Sequence, residues 1–202
     1  MKTNHFAYVA SLLCLATACQ PQQEQILTQT PQPVASSIWK ESNDAPGVQT
    51  PQAGGSGRVA AATTVQQQEI LTYLNQARAK SCLCGSTTYP ATTPLQLNAK
   101  LNAASDKHAV DMATYNYFSH TGRDGSRPWD RMTREGYVWR TAGENIAAGY
   151  TTTRAVVDGW LRSPGHCANI MNPNFKEVGV GYGYSTTSTY KHYWVTDFGT
   201  QL

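Results

Sequence analysis

The stretch Val178-Gly-Val-Gly-Tyr-Gly-Tyr184 alternates large apolar side chains with glycine. A period of two indicates a β-strand, and it places Gly179, Gly181 and Gly183 on one face. A strand face without side chains allows another element to approach closely. A second strand follows a polar Ser-Thr loop, and one face of it contains Tyr190, His192, Trp194, Thr196 and Phe198. The sequence therefore predicts a C-terminal β-hairpin.

The chain before this hairpin has helical spacing instead. Four helices are predicted: one opened by the capping box Thr64-Val-Gln-Gln67, one from about Asn98 to Tyr117, one from Ser126 to Gly136 with Ser126 as its cap, and one containing Val156, Val157, Trp160 and Leu161 that stops at Ser163-Pro-Gly165. Because helices come first and the hairpin last, the predicted class is α+β or a layered α-β-α arrangement.

Three short motifs place polar side chains where helices end or turns open. They are Phe118-Ser-His120, Gly143-Glu144-Asn-Ile-Ala147 and Trp160-Leu-Arg-Ser-Pro-Gly-His166-Cys-Ala-Asn-Ile170. We expect the two imidazoles and the carboxylate to converge in one cleft, to which Ser163 of the His166 turn is also assigned. Such a trio suits binding of a metal or a polar ligand, or proton transfer.

Together with Phe175 and Gly179-Val-Gly181, these motifs resemble the CAP superfamily of cysteine-rich secretory proteins, antigen 5, plant pathogenesis-related proteins and bacterial SCP-like domains. The resemblance covers nearly all of Thr64 to Gly199, in the order of the family's motifs. It implies a three-layer α-β-α sandwich with a cleft on one face. In many relatives that cleft holds two histidines and two glutamates, and some relatives bind a divalent metal there.

The family's site matches this chain only in part. His120, Glu144 and His166 match the first histidine, the first glutamate and the second histidine. The second glutamate is absent, because the stretch Leu161-Arg-Ser-Pro164 has no carboxylate, and Asp158 lies on the other side of Trp160. The remaining trio would supply the three protein ligands of an open zinc site, so zinc is the candidate cofactor. Without a metal, Glu144 would hold an imidazolium through a charge-assisted hydrogen bond.

Several of these residues have a plainer interpretation. His108 lies on the apolar face of the second helix and is expected to be a packed core histidine. For His120 and His166 the alternative is a structural role, capping helix ends or bonding backbone carbonyls. His192 and Asp197 are interpreted as ordinary surface or hairpin pairs.

The first residues predict export. An apolar run from Phe6 to Ala18 follows Lys2, and Ala16-Thr-Ala18 is a small-residue cleavage pattern, so residues 1–18 are expected to be a signal peptide. Leu15-Ala-Thr-Ala-Cys19 resembles a bacterial lipobox, which implies cleavage before Cys19 and its lipidation. Ordinary export with an unmodified Cys19 is the alternative. Residues 19–63, rich in Gln, Pro, Ser and Gly, are predicted to be a disordered tether, and residues 64–202 the globular domain.

The cysteines of the domain predict one disulfide. An exported protein meets an oxidising compartment, which makes Cys82, Cys84 and Cys167 candidates. Cys82 and Cys84 are too close along an extended chain to bridge each other without strain. One of them therefore pairs with Cys167, and we favour Cys84. A Cys-x-Cys metal site with His166 is the competing interpretation, and it requires reduced thiols.

Two functions remain. The first is an exported, lipid-anchored binding module whose cleft takes a lipid, a glycan or another cell-envelope ligand, with or without metal. The second is a hydrolase in which a histidine or Glu144 activates a bound water. No nucleophile elbow or His-Glu-x-x-His motif supports the second, so no catalytic residue is assigned. The net charge of +3 comes from scattered cations without a basic stripe or an aromatic-interleaved patch, so no nucleic-acid partner is expected.

Overall fold

The computed structural model describes residues 60–202. The predicted signal peptide, Cys19 and nearly all of the predicted tether lie outside the described residues. Within them, the helices are α1 Thr64–Arg78, α2 Ala99–Tyr115, α3 Pro128–Arg134, α4 Thr153–Arg162 and α5 Pro164–Met171. The strands are β1 Cys82–Cys84, β2 Thr87–Tyr89, β3 Gln96–Leu97, β4 Trp139–Ala148, β5 Glu177–Tyr184 and β6 His192–Gln201. None of these helices is long and apolar enough to span a bilayer.

A four-stranded sheet in the order β3-β5-β6-β4 forms the middle of the domain. β5 and β6 pair antiparallel from Glu177–Gly199 to Tyr184–His192, which confirms the predicted hairpin. Tyr190 precedes β6 and lies outside it. β4 pairs antiparallel with β6 at one edge, and the short β3 pairs parallel with β5 at the other. The edge strand β4 contains the Gly143-Glu144-Asn motif.

Helix α2 lies directly on the glycine face of β5. A Cβ atom added to Gly179 would lie 2.0 Å from the carbonyl carbon of Leu101. The same addition at Gly181 would lie 2.1 Å from the carbonyl carbon of Ser105. Real Cβ atoms do not approach backbone this closely, so any side chain here would push α2 away from the sheet. The close approach predicted from the glycine alternation is present.

The opposite face of the sheet packs against α1, α4 and α5. The buried side chains of this layer include Ile70, Leu74, Val156, Trp160, Ile170, Val178, Val180, Trp194 and Phe198. With α2 on the first face and these three helices on the second, the domain is a three-layer α-β-α sandwich. The predicted α+β class is confirmed.

Two helix starts differ from the predictions by one or two residues. The capping box of α1 uses Thr63 and Gln66 rather than Thr64 and Gln67, and the Thr63 hydroxyl accepts from the Gln66 amide. Helix α3 begins at Pro128 after Arg127, so Ser126 is not its cap. For α1 the sequence offers two adjacent threonines, each followed three residues later by a glutamine, and the side chain of Gln67 donates instead to the carbonyl oxygen of Val180.

Two elements were not predicted from the sequence. Pro164 begins α5 rather than ending the helical region, because proline fits the first turn, where its missing N–H is not required. Strand β4 was also missed. Its residues from Ala142 to Ala148 do not alternate between apolar and polar side chains, because both faces are covered: Ala147 packs against the α1/α4/α5 core, while Ile146 packs against α2.

Candidate ligand-binding cleft

Glu144 is fixed in the middle of β4, not at the end of an element as expected. Its side chain is only 1% exposed. Alternation along the strand turns Glu144 toward α3 and turns Asn145 toward α5 on the opposite face. An ionised carboxylate at such depth requires strong partners, because removing a lone charge from water costs on the order of several kcal/mol.

The first partner of Glu144 is His120. This histidine lies in the loop between α2 and α3, and its Nδ1 is 2.5 Å from Oε1 of Glu144. Because an ionised carboxylate only accepts, Nδ1–H of His120 donates in this pair. The imidazole itself is 25% exposed, so it meets solvent while its other side is fixed by a buried acid.

The second partner is Arg131, which the sequence reasoning missed. Its Nη2 donates to Oε2 of Glu144 at 2.5 Å, and its Nη1 donates to the carbonyl oxygens of His120 and Ser126, each at 3.0 Å. The guanidinium of Arg131 therefore holds both the Glu144 carboxylate and the loop that contains His120. The sequence contains a signal for this role, because Arg131 has helical spacing with Pro128 and Met132. The three residues share the buried face of α3.

A second buried acid lies beside Glu144. Asp197 is opposite Glu144 in the β4–β6 register, is fully buried, and accepts from the hydroxyl of Ser105 at 2.9 Å. Burial raises the pKa of Asp197 well above its usual range, and the negative charge of Glu144 raises it further. Both effects favour the neutral acid. The interpretation of Asp197 as a surface or hairpin pair is therefore wrong, because β6 is buried on both faces here.

His166 lies in the first turn of α5, on the other side of the edge strand. Asn145 donates from Nδ2 to the carbonyl oxygen of His166 at 3.1 Å, which attaches this turn to β4. Burial lowers the pKa of His166 to about 4, and the electrostatic interaction with nearby His120 also lowers it. His166 is therefore a neutral imidazole at pH 7. Ser163 occupies the N-cap position of the same helix and is partly exposed.

The Gly143-Glu144-Asn145 motif also holds α5 in position. Asn169 of α5 donates from Nδ2 to the carbonyl oxygen of Glu144 at 3.2 Å and to Oδ1 of Asn145 at 2.9 Å. A Cβ atom on Gly143 would lie 2.8 Å from the ring of Phe175. The three residues of the motif thus have three separate roles: close packing, the buried acid, and attachment of the helix that carries His166.

A disulfide joins Cys84 to Cys167, the residue after His166, with the two Cα atoms 5.4 Å apart. The sulfur of Cys82 lies 3.7 Å from that of Cys167. Within residues 60–202, these three cysteines are the only set of three potential metal ligands whose donor atoms all lie within 4.8 Å of one another. For His120, Glu144 and His166, metal binding stays a prediction.

The two other histidines among residues 60–202 have structural roles. His108 is 1% exposed, as predicted for a core histidine, and its Nε2 lies 2.8 Å from the carbonyl oxygen of Ser119. His192 pairs across the hairpin, with its Nδ1 2.7 Å from the hydroxyl of Tyr182. Burial lowers the pKa of both histidines.

The buried ion pair leads to a matched test on one helix. We expect Arg131→Ala to lower the free energy of unfolding by about 3–5 kcal/mol, because it leaves the Glu144 carboxylate buried without its cation. The control is Arg134→Ala, since the Arg134–Asp124 pair is more than half exposed and is worth less than about 1 kcal/mol. Chemical denaturation measures both. Equal losses for the two variants would show that Glu144 does not depend on Arg131.

The buried imidazole leads to a pH test. The pKa of His166 is about 4 in the folded protein, against about 6.5 in an unfolded chain. The unfolded state therefore binds this proton more tightly, and stability from His166 is lost as the pH falls from 6.5 toward 4. Between pH 7 and pH 4.5 we expect the wild type to lose about 2 kcal/mol more than His166→Asn. A histidine resonance that titrates near pH 6.5 and is missing from His166→Asn would contradict this prediction.

Comparison with known proteins identifies the family. Residues 71–198 match the model of the cysteine-rich secretory protein (CAP) family. The uncharacterized protein YkwD of Bacillus subtilis (strain 168) is 44% identical over 89 residues, which are 44% of this chain and 35% of that protein. The uncharacterized membrane protein YlbC of the same organism is 34% identical over 119 residues, 58% of this chain and 32% of that protein. The matched region thus spans about a third of each relative.

Solved structures agree with this result. An extracellular protein of Bacillus anthracis with an SCP domain aligns with a TM-score of 0.55 and 27% identity, over 68% of this chain and 41% of that chain. An outer surface protein of Borrelia burgdorferi aligns with a TM-score of 0.61 over 72% of this chain and 99% of that chain, and at 19% identity this similarity shows the fold alone. The family model covers well over half of the sequence, and the chain belongs to the cysteine-rich secretory protein (CAP) family.

Proposed function

We propose that this protein is an exported binding module, held at the cell envelope, whose cleft at His120, Glu144 and His166 takes a polar ligand of the envelope. One observation carries the proposal. Both carboxylate oxygens of Glu144 are already engaged, one by His120 and the other by Arg131. A carboxylate held in this way is suited to orienting an imidazole, and it is poorly suited to binding a metal or activating a water.

The orientation has a consequence for recognition. Glu144 fixes both the ring plane of His120 and the nitrogen that carries its proton, so little side-chain entropy is lost when the ring contacts a ligand. His166, whose pKa is lowered by burial, adds a neutral imidazole. Ser163 contributes a hydroxyl at the start of α5. This combination favours a ligand rich in hydrogen-bonding groups, such as a glycan, over an apolar one.

This arrangement offers zinc two protein ligands instead of three. His120 and His166 supply imidazoles, and Glu144 would act behind His120, as carboxylates often do behind metal-bound histidines. A third protein ligand is not provided by Glu144 while Arg131 holds its second oxygen. A metal is therefore an optional component of the proposed cleft.

A hydrolase is the second candidate, and the His120–Glu144 pair is the observation that favours it. In serine and cysteine hydrolases a buried carboxylate holds the catalytic histidine in this manner. A nucleophile next to the ring would be needed. The hydroxyl of Ser119, the nearest serine in sequence, accepts from the amide of Thr121 at 3.0 Å, which is a local turn contact. Binding is the better supported function.

The anchor is proposed from the sequence around Cys19. Several acyl chains would hold the protein on a membrane without a spanning helix, since each buried methylene contributes about 0.8 kcal/mol. The residues after Cys19 would then separate the cleft from the membrane surface.

Mass spectrometry of the mature protein tests the anchor. We expect a chain that begins at Cys19 and carries a diacylglycerol group on its thiol. Its new amino group is either acylated as well or free. The control is Cys19→Ser, which should lack the lipid mass and leave the membrane fraction. A wild-type chain that starts at Cys19 without added mass would instead establish ordinary export.

A sedimentation assay with purified cell-wall sacculi tests the cleft. We expect wild-type protein to pellet with the sacculi and His120→Ala to bind at least about tenfold more weakly, because the fixed imidazole is lost. His192→Ala is the matched control, a partly exposed histidine on the hairpin. Thermal unfolding verifies that both variants are folded.

Two outcomes would reverse the proposal. Equal binding by His120→Ala and wild type would remove the cleft from recognition. Hydrolysis of a peptide, ester or glycan panel that disappears in Glu144→Gln, with the fold intact, would establish the hydrolase instead.

A further inference from the structure

A second concavity opens on the α2 and α3 side of the domain. It has a volume of about 450 Å³ and lies between the middle of α2, the loop around residues 122–126, and α3. His120, Glu144 and His166 are not among its lining residues. It is therefore distinct from the cleft described above, although Arg131 contributes to both.

Cations dominate the lining. Lys107, Arg123, Arg131 and Arg134 face two acids, Asp111 and Asp124. Both acids are already engaged by other groups of the protein. The hydroxyl of Tyr117 donates to Asp111 at 2.5 Å. The hydroxyl and amide of Ser126, and then Arg134, hold the pKa of Asp124 well below its usual range.

The two cations at the rim have donors to offer. The guanidinium of Arg123 stacks over the ring of Tyr115 at 3.5 Å from its centre. Stacking uses the flat face of a guanidinium and leaves its N–H groups, which point outward in the plane. Arg134 pairs with Asp124, but both side chains are more than half exposed, and such pairs are weak. An anion can therefore contact both arginines at little cost.

Two residues of the lining each contain a buried polar atom in need of a partner. His108 is 1% exposed and Arg131 is 7% exposed. Among residues 60–202, Nδ1 of His108 and Nε of Arg131 have no hydrogen-bond partner. Buried polar atoms are satisfied in the great majority of cases, so a pair of exceptions in the lining of one concavity points to a ligand.

The chemistry of these two atoms can be assigned. Nε2 of His108 faces the carbonyl oxygen of Ser119, which only accepts, so Nε2 carries the proton. Burial lowers the pKa of His108 and favours the neutral ring, in which Nδ1 is an acceptor. Nε of Arg131 is always a donor. Nδ1 of His108 thus requires a donor and Nε of Arg131 requires an acceptor, and hydroxyl groups can supply either.

We propose that this concavity is a second ligand-binding site, for a small hydroxylated acid whose carboxylate or phosphate contacts Arg123 and Arg134 and whose hydroxyl groups reach His108 and Arg131. Sugar acids and sugar phosphates share this chemistry. Because Arg131 also holds Glu144, an acid bound here would contact the group that fixes the His120 cleft.

Calorimetric titration of the full chain tests the site with three probes that share one sugar ring. Glucuronate carries a carboxylate, glucose 6-phosphate carries a phosphate, and glucose carries neither. We expect at least one acid to bind and glucose to bind at least about tenfold more weakly. Binding of one acid and not the other would support the site and identify the anion that it prefers.

Variants locate the binding. Arg123→Ala and Arg134→Ala should each weaken acid binding by about tenfold, because each removes one charged donor at the rim. Arg162→Ala is the control, since this exposed arginine at the end of α4 does not line the concavity. Both rim arginines are exposed, so these variants are expected to fold.

Three results would overturn the proposal: no binding of either acid, equal binding of glucose, or equal acid affinity in the rim variants and the wild type. None of them depends on sacculi or on His120, so this site and the proposed function can fail independently.

Discussion

The contact between α2 and the glycine face of β5 is the constraint on which the rest of the structure depends. Backbone meets backbone there, and a single added methyl group at Gly181 would collide with Ser105. This proximity brings the loop after α2, with His120, close to the sheet. It also allows the hydroxyl of Ser105 to reach Asp197 on β6. The glycines therefore act on the site without being part of it.

The second organising feature is electrostatic. Glu144 is almost completely buried, and Arg131 and His120 each engage one of its oxygens, which offsets the cost of burying the carboxylate. The nearby acid Asp197 avoids a second buried negative charge, since its pKa is raised. The result is a small charged network in which the exposed member, His120, is held by the buried ones. Such rigidity suits recognition of a ligand more than a reaction that must move protons through Glu144.

The edge strand β4 connects this network to the turn that contains His166. Glu144 and Asn145 are neighbours in sequence and point to opposite faces. One positions His120 and the other positions the turn that contains His166. The disulfide from Cys84 to Cys167 attaches the same turn to the segment after α1. Glu144, Asn145 and the disulfide thus set the relative position of His120 and His166, which are far apart in the chain.

Much of the fold followed from the sequence alone. The alternation of glycine with valine and tyrosine in β5 specified a hairpin with a bare face, because the period of two is a local property of a strand. Helical spacing and turn residues likewise located α1, α2 and α4. The motifs around His120, Glu144 and His166 identified the candidate cleft and the family, since those residues can be recognised without knowing their contacts.

Only the tertiary structure decided what the residues do. Arg131 and Asp197 are ordinary charged residues in sequence, and they become parts of a site because α3 and β6 bury them beside Glu144. Strand β4 has no clear local period, because it is covered on both faces. Long-range contacts determine burial, and burial determines whether a charge is solvated, paired or neutralised. That is the reason why the sequence could name the acid and the imidazoles but not the arginine that holds them together.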